Sequence, residues 1–226
     1  MEKKALLKDT KILSILGHIQ RNRMNKNPKT FCNYLEYRKD TLFIEEVDCI
    51  KIAEKFGTPV YCYSVNEIKE NYRRFKNALS EVNSSIFYAL KANFNSNILR
   101  IFSEIGAGVD VVSKGEIELA LSSGIKPNKI VFSGVGKTRE EISFAIKKNI
   151  LQLNVESVEE LEEIEVLMKS VKKKNIEISL RVNPDVDANT HKKISTGRSE
   201  DKFGIPLHKV LGIFKKFRRN SNINIT

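Results

Sequence analysis

Lys91 is the side chain best placed for covalent chemistry. The run Ile86-Phe-Tyr-Ala-Leu-Lys91-Ala-Asn93 sets one amine at the end of an otherwise apolar stretch of strand composition. Burial among apolar groups disfavours the charged form of an amine and lowers its pKa. The neutral amine then attacks a carbonyl to form a Schiff base. The alternative, from this feature alone, is a lysine that clears the strand and snorkels to water.

Other clusters carry less. His18, His191 and His208 show no HxxxH or HExxH spacing, so no metal site is expected. Cys32, Cys49 and Cys62 are odd in number, widely spaced and without a CxxC, which excludes a complete disulfide framework and fits a reducing cytoplasm. Gly134-Val-Gly136-Lys137-Thr138 resembles the end of a phosphate loop, but Val131 stands where a Walker A needs its first glycine. Arg139 likewise replaces the third glycine of GxGxxG, leaving a tight turn into a capped helix. Gly106-Ala-Gly108 precedes a strand rather than following one. Glu159, Glu160, Glu162, Glu163 and Glu165 read as the polar face of a helix, favoured by solvation and the helix dipole.

The elements that would position Lys91 are regular. Strand-like runs at Ile86–Leu90, Val109–Val112, Ile130–Phe132, Leu151–Val155 and Glu177–Val182 start 23, 21, 21 and 26 residues apart. Strands alternating with helices of that length form βα units and a parallel sheet. Ser64-Val-Asn-Glu67, Ser113-Lys-Gly-Glu116, Thr138-Arg-Glu-Glu141 and Ser157-Val-Glu-Glu160 each match the capping box, in which a hydroxyl and a carboxylate satisfy each other's backbone amides. Val158, Leu161, Ile164, Leu167 or Met168, and Val171 then recur at helical spacing. Gly106 and Gly124 fall where helices end. Period alone admits a leucine-rich repeat, a doubly wound sheet or a (β/α)8 barrel, whose catalytic groups sit at the C-terminal strand ends.

Composition bounds the rest. The chain has 226 residues, 41% hydrophobic and 30% charged, which is globular composition. No run approaches the roughly 18 apolar residues of a membrane span, so no membrane partner is expected. The net charge of +11 raises nucleic acid as a partner, but Lys172–Lys174 close an acidic helix and no nucleic-acid signature accompanies Lys215, Lys216, Arg218 and Arg219. No nucleic-acid role is expected. Residues 1–30 are poorly patterned and carry no signal-peptide core. Met24 is a second candidate start, making residues 1–23 a dispensable extension.

The wording of the motifs narrows the architecture. Tyr88-Ala-Leu-Lys91-Ala-Asn93, Gly106-Ala-Gly-Val-Asp110-Val-Val-Ser113, Ile130-Val-Phe-Ser-Gly-Val-Gly136, Asn154-Val-Glu-Ser157, Arg181-Val-Asn-Pro-Asp-Val-Asp187, Thr190-His191, Ile194-Ser195-Thr196-Gly197 and Lys202-Phe-Gly-Ile205 occur in this order. With Asn33-Tyr-Leu-Glu-Tyr37 and Phe56-Gly-Thr-Pro-Val-Tyr61 before them, they resemble the diaminopimelate decarboxylases, the lysine-biosynthesis branch of the alanine-racemase-like pyridoxal 5′-phosphate (PLP) enzymes. The resemblance spans residues 31–226.

It implies an α/β fold: a (β/α)8 TIM-type PLP-binding barrel, with about five βα units in this chain and the family's C-terminal β-domain absent. It puts Lys91 on the family's Schiff-base lysine and Asp110 and Arg181 beside the cofactor ring, Arg181 against its 3′ oxygen. Asp187–Lys202 resembles a mobile active-site loop carrying His191, Ser195, Thr196 and Gly197. The implied reaction is decarboxylation of meso-2,6-diaminopimelate, a small amino-acid substrate, to L-lysine, in a cytoplasmic homodimer. Motifs that the family carries further along, including HIGS, a glycine-rich phosphate loop and EPGR, do not occur here. The expectation is therefore an N-terminal portion inactive alone. A non-catalytic remnant of a split gene, or a relative of ornithine, arginine or carboxynorspermidine type, are the alternatives.

Overall fold

The computed structural model describes residues 32–170, 175–184, 204–217 and 222–225. His191, Ser195, Thr196 and Gly197 lie outside the described residues, as does the extension at 1–30. Contacts group the chain into two units, Met1–Ser80 and Glu81–Thr226, within the span that the sequence presents as one.

In the first unit, β1 (Leu35–Arg38), β2 (Thr41–Ile44) and β3 (Val47–Asp48) form an antiparallel meander. Asp48 caps α1 (Cys49–Phe56) by accepting from the Ile50 amide, and Ser64 caps α2 (Val65–Ala78) by accepting from the Glu67 amide. Glu45 reaches across to accept from Ser64 Oγ at 2.6 Å and Asn66 N at 2.9 Å.

The second unit is a six-stranded parallel sheet in the order β11-β8-β7-β6-β5-β4. Its strands are β4 (Phe87–Ala89), β5 (Gly108–Val111), β6 (Ile130–Phe132), β7 (Gln152–Val155), β8 (Ile176–Leu180) and β11 (Ile223–Ile225), the first five at the runs legible in the sequence. The helices between them are α3 (Ser96–Glu104), α4 (Lys114–Ser122), α5 (Arg139–Lys148) and α6 (Val158–Ser170). β9 (Val182–Asn183), β10 (Ile205–Pro206) and α7 (Leu207–Phe217) complete the unit. Consecutive parallel strands lying side by side are the (β/α) barrel order, here for part of the barrel.

Side chains alternate faces along a strand, and the two faces differ in chemistry. Val109, Val111, Phe132, Leu153, Val155 and Ile178 are fully buried against Ile117, Ile142, Ile146, Leu161 and Ile164 of the helices. Each fully buried aliphatic side chain contributes roughly 1.5–3 kcal/mol. The opposite face carries Asp110, Gln152, Asn154, Glu177 and Ser179, all part-buried. A polar inner face on a parallel sheet is what positions the site.

The caps depart from the expected pattern in one respect. All four hydroxyls accept from the backbone amide three residues on. Only Thr138 and Glu141 form the reciprocal box. Glu116 instead accepts from Val112 N at 2.8 Å and Glu160 from Glu156 N at 3.0 Å, because the amide before the cap also lacks a strand partner and lies within reach. Gly106 (φ 77°) and Gly124 (φ 93°) take the left-handed conformation that ends their helices.

Glu141 also accepts from Lys114 N at 3.1 Å, tying the start of α5 to that of α4. The Thr138 amide, and after it the Lys114 amide, hold its carboxyl below the ordinary 4.5 against the opposing effect of burial. A folded pKa below the unfolded one gives stability that is complete above 4.5 and lost as pH falls through the folded value. Glu141→Gln is therefore expected to lower stability by about 1 kcal/mol at neutral pH and to flatten the acid limb of urea unfolding. An unchanged acid limb would count against this assignment.

Candidate active site

Lys91 follows β4 in the single 3-10 turn Leu90–Ala92, at the C-terminal rim of the sheet. The turn is anchored on both sides. Leu90 is fully buried, the Tyr88 ring stacks on Phe102 of α3 with centroids 4.1 Å apart, and Tyr88 OH donates to Asn93 O at 3.4 Å. Lys91 itself is exposed. This corrects the expectation of an amine embedded in apolar surroundings: the strand ends at Ala89, so the lysine has cleared it. Among the described residues, no hydrogen bond or ion pair holds its ammonium.

Asp110 lies on β5, registered between Ala89 of β4 and Val131 of β6. Ser133 Oγ donates to Asp110 Oδ1 at 2.5 Å and accepts from Asn154 Nδ2 at 2.8 Å. Asn154 Oδ1 in turn accepts from Gln152 Nε2 at 2.7 Å. This chain runs along the inner face across β7, β6 and β5. Each donor is used once, so the Ser133 proton points at the Asp110 carboxylate. Ser133, Asn154 and Gln152 were not singled out in the sequence. Their signal was the alternation Gln152-Leu-Asn-Val, which sets two amides on the face opposite Leu153 and Val155.

Arg181 follows β8, its amide donating to Val155 O at 2.9 Å. Its NH1 donates to Glu156 Oε1 and Oε2 at 3.2 and 3.1 Å. Asp110 and Arg181 thus share the rim on strands separated by β6 and β7, and Lys91 stands one strand beyond Asp110.

Behind this rim, the loop that mimics a phosphate-binding motif has a structural role. Lys137 Nζ donates to Gly134 O, Asn154 O and Glu160 Oε1, each at 2.7 Å. The Lys137 and Glu160 side chains are 1% and 9% exposed. The polar-face reading of the Glu159–Glu165 run therefore fails at Glu160, which is drawn inward by a buried cation. It holds for Glu165, paired with Lys169, and Glu162, paired with Lys216.

The rim's donor set is an amine, a carboxylate fed by a hydroxyl, and a guanidinium. An amine suits a ligand's carbonyl carbon, and a guanidinium suits an anionic oxygen. These residues fit an aldehyde-bearing, anionic cofactor such as PLP. No cluster of three or more His, Cys, Asp or Glu among the described residues is arranged for a metal.

Parallel strands in barrel order, with a lysine at their C-terminal rim, place the candidate site where (β/α)8 enzymes carry theirs. Residues 65–226 match the family model described as "Pyridoxal-dependent decarboxylase, pyridoxal binding domain", and the chain belongs to that family, whose cofactor is PLP. It is 42% identical over 197 residues to a diaminopimelate decarboxylase of Aquifex aeolicus, covering 87% of this chain and 46% of the relative. Identity to the Helicobacter pylori diaminopimelate decarboxylase is 48% over 164 residues, 73% of this chain and 40% of the relative. The solved structure of the H. pylori enzyme complexed with L-lysine superposes with a TM-score of 0.74 and 43% identity, covering 79% of this chain and 45% of that one. The M. jannaschii diaminopimelate decarboxylase in co-complex with L-lysine gives 0.76 and 38%, covering 86% and 46%. The chain spans about half the length of the curated relatives it matches.

Proposed function

We propose that this chain supplies the Lys91 half of a PLP-dependent decarboxylase that converts meso-2,6-diaminopimelate to L-lysine and CO2. The observation that carries this reading is the match of residues 65–226, which contain Lys91, Asp110 and Arg181 on one sheet rim, to the pyridoxal-binding domain. The relatives' identity supports the substrate, and the L-lysine complexes of two of them support the product.

In this reading, Lys91 would hold the cofactor through its amine, the group whose chemistry suits a carbonyl carbon. Asp110, oriented by Ser133, and Arg181 would help to hold it, the carboxylate on its cationic side and the guanidinium on an anionic oxygen. Bound there, PLP supplies an electron sink for the bond that breaks when CO2 leaves. The reading also assigns His191, Ser195, Thr196 and Gly197, which lie outside the described residues, to the active-site loop that the family resemblance implies. The reading includes a cytoplasmic homodimer with neither a nucleic-acid nor a membrane partner. Among the described residues no helix is long and apolar enough to cross a membrane, and the three cysteines are free thiols.

The test is CO2 release, with PLP, from carboxyl-labelled meso-diaminopimelate, L-ornithine and L-arginine, using the protein purified as its own cell makes it. Where the rest of the enzyme accompanies this chain, release from meso-diaminopimelate and from neither of the others is expected, and from this chain by itself none. Release from ornithine or arginine instead would overturn the substrate assignment.

A further inference from the structure

We propose that Glu156 is the positioning residue for Arg181, a carboxylate locked behind the rim that sets the direction of the guanidinium facing the cofactor. The cofactor's part in this rests on the reading above; the clamp itself rests on geometry.

Glu156 follows β7 directly and Arg181 follows β8 directly, on neighbouring strands registered Val155 to Leu180. The two residues are therefore the next pair along the ladder and fall on the same inner face. Their exposures differ sharply: the Glu156 side chain is 3% exposed and the Arg181 side chain 47%. One end of the pair is fixed inside and the other reaches outward, the arrangement of an anchor and its load.

The anchor is held at several points. Gly134 N donates to Glu156 Oε1 at 3.1 Å, so the turn after β6 grips the carboxylate. Glu156 N donates to Glu160 Oε2 at 3.0 Å. Glu160 is bound to the buried Lys137, which also bonds the carbonyls of Gly134 and Asn154. Each carboxylate has its own cation: Lys137 pairs with Glu160 and Arg181 with Glu156. Because the Gly134 turn, the Glu156 backbone and the Lys137–Glu160 pair all brace one another, the carboxylate has little freedom to follow Arg181. At this end of the pair the guanidinium follows Glu156.

Two measurements on wild type, Glu156→Gln, Arg181→Met and the double variant test this. Glutamine keeps an acceptor for Gly134 N but removes the charge. Without cofactor, phenylglyoxal modification of Arg181, located by peptide mapping, is expected to run at least about threefold faster in Glu156→Gln, since an arginine freed from a charged partner is more reactive. PLP titrated by visible absorbance is expected to bind about tenfold more weakly to Glu156→Gln, a change of about 1.4 kcal/mol. The double variant should then be no weaker than Arg181→Met alone, because the two act as one unit. Glu156→Asp, which keeps the charge, should recover part of the affinity. Unchanged modification rates, or additive losses in the double variant, overturn the proposal. Wild type that takes up no PLP at all would overturn the cofactor reading instead, and the phenylglyoxal rates would still decide whether Glu156 holds Arg181.

Discussion

Lys91→Ala is expected to abolish covalent retention of PLP. After incubation with PLP and borohydride, wild type should carry the cofactor on the peptide containing Lys91, and the variant should carry none at any rim lysine. The geometry makes this an all-or-none effect. Lys137 lies near the same strand ends, but its ammonium is enclosed and bonded to three acceptors. Lys114 is paired with Glu140 at 2.6 Å, and the hydrogen bond it donates to that carboxylate raises its pKa, keeping it protonated and non-nucleophilic. Lys91 alone of the three is exposed on a turn pinned by Leu90 and Tyr88, with no described acceptor. Lys91→Arg should fail equally, since it keeps the charge and loses the nucleophile. Neither change should alter stability by more than about 0.5 kcal/mol, as expected for an exposed side chain. Retention of the cofactor at another lysine in Lys91→Ala would refute the assignment.

What the sequence made legible, and what it did not, has physical reasons. Five of the six strands of the parallel sheet were visible because each has a β-branched or aromatic run, and β5, β6 and β7 lead into helix starts whose caps formed. Lys91, Asp110 and Arg181 stood out through the wording of their motifs. Ser133, Asn154 and Glu156 lie within motifs of the same resemblance but carried no role of their own, because an inner-face residue is recognised only once the face is known. Period-2 alternation tells which residues share a face, but not that this face is the interior of a barrel. Glu160 was misread for a related reason: a helix stripe shows which side is polar, but not that a lysine from the preceding βα loop reaches over it. The meander of the first unit was missed because its turns place Lys39 (φ 55°) and Glu45 (φ 52°) in the left-handed region. Glycine, asparagine or aspartate usually mark such turns. Glu45 sustains its conformation through its bonds to Ser64 and Asn66, contacts that no local reading reveals.

Lys137→Met is expected to destabilise the protein by about 3–5 kcal/mol, the range for removing one partner of a buried ion pair. The lost attraction is the smaller part. Methionine fills similar volume, but it leaves the Glu160 carboxylate, 9% exposed, without its cation. It also strips a donor from the carbonyls of Gly134 and Asn154. Folded proteins are stable by only about 5–15 kcal/mol, so the variant should unfold at much lower urea, with the midpoint read by circular dichroism. Lys137→Met with Glu160→Leu removes both charges and should recover a large part of the loss, since an apolar pair of similar volume often replaces a buried ion pair at little cost. That recovery separates a charge effect from a packing effect, because a cavity or clash at Lys137 would persist in the double variant. A loss below about 1 kcal/mol in Lys137→Met would show that water reaches Glu160 and that the pair is not buried in solution. The double variant still lacks the Glu160 carboxylate that receives the Glu156 amide. It should therefore regain stability while Arg181 remains more open to phenylglyoxal than in wild type, placing the brace and the rim on one mechanical path.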